Sequence, residues 1–355
     1  MSVIEEYISD LNSEDERKRA FAAEDIAYEG LNEGIVPLVD RLQMEDSRFV
    51  KEAIVNALKT MNGTELVASV IPLLRCDDAF IRNAGIDILA AQGEDSYEPI
   101  RLLIFDPDKD VRKFAIDVLL QVGNKSAQDL IAETLDDVDI NIVITAVEYL
   151  GRLESHDHTA RINTLLKTTS NLLLRCACLE TLAVIGDNES ITCVAEVYPH
   201  SHLISPLELY SYLKFIACQG TEQDLPLIIA LMKDKGQLMH KEIINALGGI
   251  LYRSKLDMLM DDWLAALKDY IDSGINDINK YELLVMLGAF KNEAIFPLLV
   301  EHSNSDIKLV RQGAVEGLGR YGKEDARPVL VRLKDLVEDD EILEAIERSL
   351  ELINR

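Results

Sequence analysis

The stretch Asp106-Pro-Asp-Lys-Asp-Val-Arg-Lys-Phe-Ala-Ile-Asp-Val-Leu-Leu-Gln-Val-Gly123 decides the fold of this chain. It opens on a Pro/Asp turn and then sets Val111, Ala115, Leu119 and Val122 at helical spacing, which makes one face of a helix apolar. Arg112 follows the first apolar anchor, and Gly123 stands where a helix ends on a left-handed residue. The same series returns at Ile81-Arg82, Gly85, Leu89 and Gly93, and again at Val310-Arg311, Ala314, Leu318 and Gly322.

Taking Leu119 as reference, the equivalent apolar positions are Leu58, Leu89, Leu150, Leu182, Ile216, Leu247, Leu287, Leu318 and Leu350, with Ala27 continuing the series upstream. The steps between them lie near 31 residues, apart from one of 40 between Leu247 and Leu287. Two helical segments per period at that length mean stacked helical hairpins, about eleven in all. Pro37, Pro72, Pro99, Pro226, Pro297 and Pro328 recur at a similar place in the first helix of their units, where proline either is tolerated in an opening turn or kinks the helix to follow the curve of the stack. The turns Asp46-Ser47, Asp77-Asp78, Asp136-Asp137 and Ser305-Asp306 are placed to cap the second helices.

This combination resembles the HEAT-repeat family, in particular the short bacterial form grouped with phycobilisome-lyase-like repeats. The family pattern Asp-x-x-Val-Arg-x-x-Ala-x-x-x-Leu-x-x-x-Gly is matched closely by residues 108–123 and recognisably by 307–322, while 78–93 has Gly85 in place of Ala. Periodicity and resemblance together predict an all-α, right-handed solenoid of about eleven hairpins spanning residues 1–355 as one domain. Two irregularities are expected: a longer repeat at about 252–291, and a capping repeat at about 324–355. The extra residues fall within 252–277, whose pattern Leu256, Leu259, Met260, Trp263, Leu264, Leu267, Tyr270 and Ile271 reads as a lengthened first helix. Gly248-Gly249 just before it should weaken the end of the preceding helix.

Composition narrows the function. The chain has 36 basic and 63 acidic residues, a net charge of −27, which repels phosphate backbones and argues against nucleic acid and anionic membranes as partners. The start Met-Ser-Val-Ile-Glu-Glu-Tyr has no secretory pattern, and no apolar run approaches a membrane span. The five scattered cysteines read as reduced core residues of a cytoplasmic protein.

Candidate constellations are few. Arg82, Arg112, Arg175 and Arg311 recur once per repeat and should pair with turn carboxylates such as Asp78, Asp108, Asp110 or Asp306 in a structural ladder. His156-Asp-His158 and His200-Ser-His202 have ligand-like spacing, but they follow different kinds of helix and should lie on opposite edges, so no metal or other cofactor is expected. No His-Glu dipeptide occurs, which removes the di-iron hydroxylase that shares the repeat. Cys176-x-Cys178 lacks redox or zinc spacing, and no phosphate loop or hydrolase elbow is present.

One column remains. Asp87, Asp117, Glu148 and Glu180 occupy the same outward position of four consecutive second helices, the helices that in HEAT-like stacks line the concave face. The reading that follows is a non-enzymatic protein-binding scaffold whose acidic concave face takes a basic partner segment, with Trp263 as a secondary contact candidate. The repeat subtype alone raises the alternative of a bilin-lyase-like subunit or chaperone-like enzyme component. HEAT-like DNA glycosylases need a basic groove, which this charge balance opposes.

Overall fold

A computed structural model describes residues 2–199, 204–235, 239–254, 261–272, 275–291 and 293–354; for residues 234, 235 and 261–264 it describes the helical backbone alone. Among the described residues there are helices, turns and short 3-10 segments and no strand. The chain divides into two compact units, Met1–His158 and Thr159–Arg355.

In the first unit the helices pair as α1 (Val3–Leu11) with α2 (Glu16–Tyr28), α3 (Ile35–Met44) with α4 (Arg48–Thr60), and α5 (Thr64–Val70) with α6 (Ala79–Ala91). Then come α7 (Tyr97–Leu103) with α8 (Lys109–Val122), and α9 (Lys125–Glu133) with α10 (Ile140–Arg152). The second unit pairs α11 (Thr159–Thr168) with α12 (Leu172–Ile185), α13 (Asn188–Val197) with α14 (Pro206–Gln219), and α15 (Leu225–Lys235) with α16 (His240–Ser254). It ends with α17 (Asp261–Asp272) and α18 (Asp277–Ala289), α19 (Phe296–His302) and α20 (Lys308–Tyr321), and α21 (Ala326–Lys334) and α22 (Asp340–Ile353). These are eleven hairpins. Each second helix packs on the second helix of the next hairpin within its unit, from α2 to α10 and from α12 to α22. The fold is an all-α solenoid.

The apolar anchors form the seam between layers. Leu58, Leu89, Leu119 and Leu150 in the first unit are fully buried, as are Leu182, Ile216, Leu247, Leu287 and Leu318 in the second. Two ends of the series shift by one residue. Ile26 is buried where Ala27 was expected, and its register is the one that matches Arg19 to Arg112. In α22 it is Ser349 that is buried, donating to the Val315 carbonyl at 3.1 Å, while Leu350 is only half-buried.

The local signals act much as the spacing suggests. Gly123 and Gly322 end α8 and α20 at φ 67° and 66°, the left-handed conformation that glycine adopts without strain. Pro37, Pro99, Pro226, Pro297 and Pro328 lie in the opening turns of first helices, and Pro72 opens the 3-10 segment Ile71–Arg75 that follows α5. The caps differ in part. Asp78 and Asp108 cap α6 and α8 with their side chains. At α10, however, the cap is Asp139, while Asp137 instead receives the Asp139 amide. At α20 the cap position holds Ile307, whose amide bonds the Ser305 hydroxyl.

Gly248-Gly249 does not end its helix: α16 runs on to Ser254. Gly249 is there because a Cβ would stand 1.9 Å from the Ala217 carbonyl oxygen of α14, so only glycine lets the two backbones approach. Arg253 exploits that closeness, its guanidinium donating to the carbonyls of Ile216, Ala217 and Gly220 at the end of α14. The added length between anchors is thus taken up partly by α16 and by the 12 residues of α17. Leu256, Leu259 and Met260, and the side chains of Trp263 and Leu264, lie outside the described residues; Leu267, Tyr270 and Ile271 are buried.

Candidate functional site

The repeated arginines hold the turns from which the candidate helices start. Arg112 donates from Nη1 to the Asp106 carbonyl at 2.8 Å, closing its own turn, and from Nε and Nη2 to Asp137 at 2.7 and 2.8 Å. Its carboxylate partner is therefore one hairpin ahead, not among the expected Asp78, Asp108, Asp110 and Asp306. Arg19 repeats the geometry on the Ser13 carbonyl and Glu45, a pair the sequence reading missed. Arg82 clips the carbonyls of Cys76 and Asp77 but loses the carboxylate ahead, since Asp106 is bound by Arg75. Arg175 pairs with Glu208 at 2.7 Å and lies over the Tyr198 ring. Arg311 has Leu336 at the position equivalent to Asp137, and its Nε is buried without a partner among the described residues.

Glu45 is the most heavily bonded of these acids. Burial pulls its pKa up, but the Arg19 guanidinium, the Ser47 amide and Arg41 outweigh it and hold the carboxyl down at about 2.

The acidic column is more structural than its solvent-facing spacing suggests. Asp87 accepts from Gln121 Nε2 of α8 at 3.0 Å. Asp117 accepts from Lys113 Nζ and from the Tyr149 hydroxyl of α10, each at 2.6 Å. Glu180, in the second unit, accepts from Ser211 and Lys214 of α14 at 2.8 Å each. Glu316 at the same repeat position takes the Tyr281 hydroxyl at 2.6 Å. Apart from the Lys113–Asp117 pair, which lies within α8, each of these bonds ties one second helix to its neighbour. Glu148 alone of the four is exposed with no bond or ion pair among the described residues.

Among the described residues, a cleft opens on the second-helix face in each unit. The first, about 290 Å³ between α4 and α6, is lined by Glu52, Asn56, Asn83 and Asp87 with the Phe80 ring. The second, about 410 Å³ across α12, α14 and α16, contains Val184, Tyr210 and Leu213 beside the Glu180–Lys214 pair. Sequence spacing could have found the second: Leu173, Glu180 and Val184, like Leu207, Tyr210, Lys214 and Cys218, fall on single helical faces. The charge of the column does not by itself single out these apolar neighbours.

The remaining candidates disperse. His156–His158 is a 3-10 turn in which His158 Nε2 meets Asp129 at 3.0 Å. His200 and His202 lie outside the described residues. Among the described residues no three His, Cys, Asp or Glu side chains come together in a way that could hold a metal ion, and no helix is long and apolar enough to cross a membrane. Cys178 and Cys193 are buried, and burial pushes the Cys178 thiol up to about 12. Cys218 is exposed and Cys76 and Cys176 are half-buried, so the cysteines are not uniformly core residues.

Hairpins in series, with second helices stacked on second helices and Arg-clipped turns, define an α-solenoid of short tandem repeats. The family profile for HEAT repeats matches residues 98–183 and 264–351, and this is a HEAT-repeat protein. No curated protein matches the chain in sequence. Among solved structures it is similar to Kap95p with RanGDP, at a TM-score of 0.60 and 14% identity over 99% of this chain and 55% of that one. Importin beta gives 0.54 and 13% over 99% and 57%. The karyopherin Kap121p, bound to the extreme C-terminus of the protein phosphatase Cdc14p, gives 0.52 and 13% over 98% and 49%. The chain spans about half the length of these three proteins, and at such identities the likeness is one of fold.

Proposed function

We propose that the chain is a non-enzymatic protein-binding scaffold whose first unit takes a basic segment of its partner on the second-helix face. The solenoid fold supports the general class, since Kap95p and Kap121p were solved with protein partners. The observation that carries the finer reading is the α4–α6 cleft. Glu52 and Asp87 line it with two amides and an aromatic ring, and no Lys or Arg is in its lining. A lysine or arginine side chain would find two carboxylates there, an apolar wall for its stem in Phe80, and amides of Asn56 and Asn83 for the adjoining main chain. Glu52 already shares the exposed Arg48, but a surface pair of that kind is worth under about 1 kcal/mol and yields to a better partner.

Charge supports the same direction. Residues 1–158 carry −18 of the chain's −27, which attracts a basic segment from a distance. Glu148 extends the contact, whereas Asp117 and Glu180 serve mainly to join helices, and Trp263 stays a secondary candidate. The test is a panel of labelled Lys/Arg-containing peptides titrated against the full chain at low and moderate salt. Glu52→Gln with Asp87→Asn should slow association and flatten its salt dependence, with Glu148→Gln adding a smaller effect. Basic peptides that bind the double variant as fast and as tightly as the parent would remove this reading.

A further inference from the structure

The second-helix face changes character in the second unit. On α12 the residues Leu173, Glu180 and Val184 share one face, and on α14 Leu207, Tyr210 and Lys214 do. Leu173, Val184, Leu207 and Tyr210 stand 41–57% exposed, a concentration of large apolar groups on two adjacent helices. The equivalent positions in α8, by contrast, hold Asp110, Lys113, Asp117 and Gln121.

The charges on α12 and α14 are paired with one another. α12 contains one base and one acid, Arg175 and Glu180, and α14 likewise contains Glu208 and Lys214. They pair crosswise, Arg175 with Glu208 at 2.7 Å and Lys214 with Glu180 at 2.8 Å, and Lys214 lies 4.5 Å from the Tyr210 ring centroid. α16 adds Lys241 and Glu242 to the cleft, so with Glu180 and Lys214 its lining holds two acids and two bases and is neutral overall, giving a ligand of either net charge no advantage. The cleft therefore complements an uncharged, apolar group, and its volume of about 410 Å³ suits a large side chain or a small ligand.

The extent of the surface decides between those two. Leu173 lies eleven residues from Val184, about 16 Å along α12 at 1.5 Å per residue, so a ligand filling the cleft would leave it uncovered. A helix of about three turns would cover the whole strip. We infer that α12 and α14 form a docking site for a neutral amphipathic helix of a partner protein, with one large apolar side chain seated between Val184 and Tyr210. This site is separate from the acidic cleft of the first unit and calls for the opposite chemistry.

The test selects a displayed library of random peptides, each about 16 residues long, on the immobilised full chain, with counter-selection on the variant Val184→Gln/Tyr210→Gln. Expected are sequences with large apolar residues at i, i+3 or i+4 and i+7 and few charges, whose synthetic peptides lose about tenfold or more in affinity on that variant. They should bind Glu52→Gln/Asp87→Asn as tightly as the parent. Leu173→Gln/Leu207→Gln, two exposed substitutions outside the cleft, provides a second readout and should also weaken binding, should the first variant melt early.

Apolar peptides that bind both variants like the parent overturn the inference. So does a library yielding only Lys/Arg-rich sequences, and if their binding falls in Glu52→Gln/Asp87→Asn the proposed function stands without it. Selection of apolar peptides alone has the reverse meaning, sinking the basic-segment reading and keeping this one. Two results assign the face to another occupant and also overturn it: a small apolar dye that binds here and is not displaced by the peptides, or concentration-dependent dimerisation abolished by Val184→Gln/Tyr210→Gln.

Discussion

Arg112 and Asp137 are about 8% and 7% exposed at their side chains, so their pairing is made almost entirely out of water. Pairs of this kind are costly to break, because the survivor stays buried with its charge uncompensated. Glu45 offers the cleanest measurement. Its pKa in the folded chain, about 2, lies below the ordinary 4.5, so the stability it contributes is full above pH 4.5 and is lost as pH falls from there towards 2. Glu45→Gln should cost roughly 3 kcal/mol in urea unfolding at pH 7, with the gap to the parent narrowing as pH drops through that window. A gap that does not change with pH would mean the carboxylate's charge is not what matters. Leu119→Ala tests the apolar seam instead: it removes a fully buried side chain and should cost roughly 2–5 kcal/mol at any pH where the chain folds.

Helices in this stack meet at distances fixed by their smallest residues. Gly249→Ala would force a Cβ against the Ala217 carbonyl at 1.9 Å, separating α14 from α16 and loosening the Arg253 clip. A loss of about 1–3 kcal/mol is expected by thermal or urea unfolding. The adjacent Gly248→Ala is the control: its Cβ would meet only Met286 Sδ, 3.2 Å away on a flexible side chain, so the change should be neutral or stabilise by up to about 1 kcal/mol. Equal effects from the two would mean helix propensity, not approach, is in play. The pair also shows where sequence reading stops. The anchors, the prolines and the glycine caps of α8 and α20 were legible, because each is set by contacts within a turn or two of chain. Gly249 was misread, since two adjacent glycines look like a weak helix end until a carbonyl about 30 residues away is known to lie against them. The bonds that Asp117 accepts from Tyr149 and Glu180 from Lys214 were hidden for the same reason: the donor that reaches each acid is fixed by how one helix is rotated on the next.

Across the whole molecule, charge and shape were unequally readable. Eleven hairpins could be counted from the period, but the acidity proved to be unevenly spread, with −18 in the first unit and an electrically closed pair of helices in the second. Dialysis against a chelator should leave the helical signal and melting temperature unchanged; stoichiometric zinc or iron, lost on replacing His156, would contradict that. The forward reach of Arg112 bears on how such a chain grows. Suppose a period ending at Gly123 were copied in tandem. The original Arg112 would then face the duplicate of Asp106, which stands 31 residues before Asp137, and the duplicated arginine would face Asp137 itself. Neither junction would lack a partner, so this part of the gene can lengthen by whole-period duplication and still encode a chain that closes every turn. The same accident around Arg175, whose partner Glu208 sits inside α14 rather than in the turn before it, would have no ready-made acceptor.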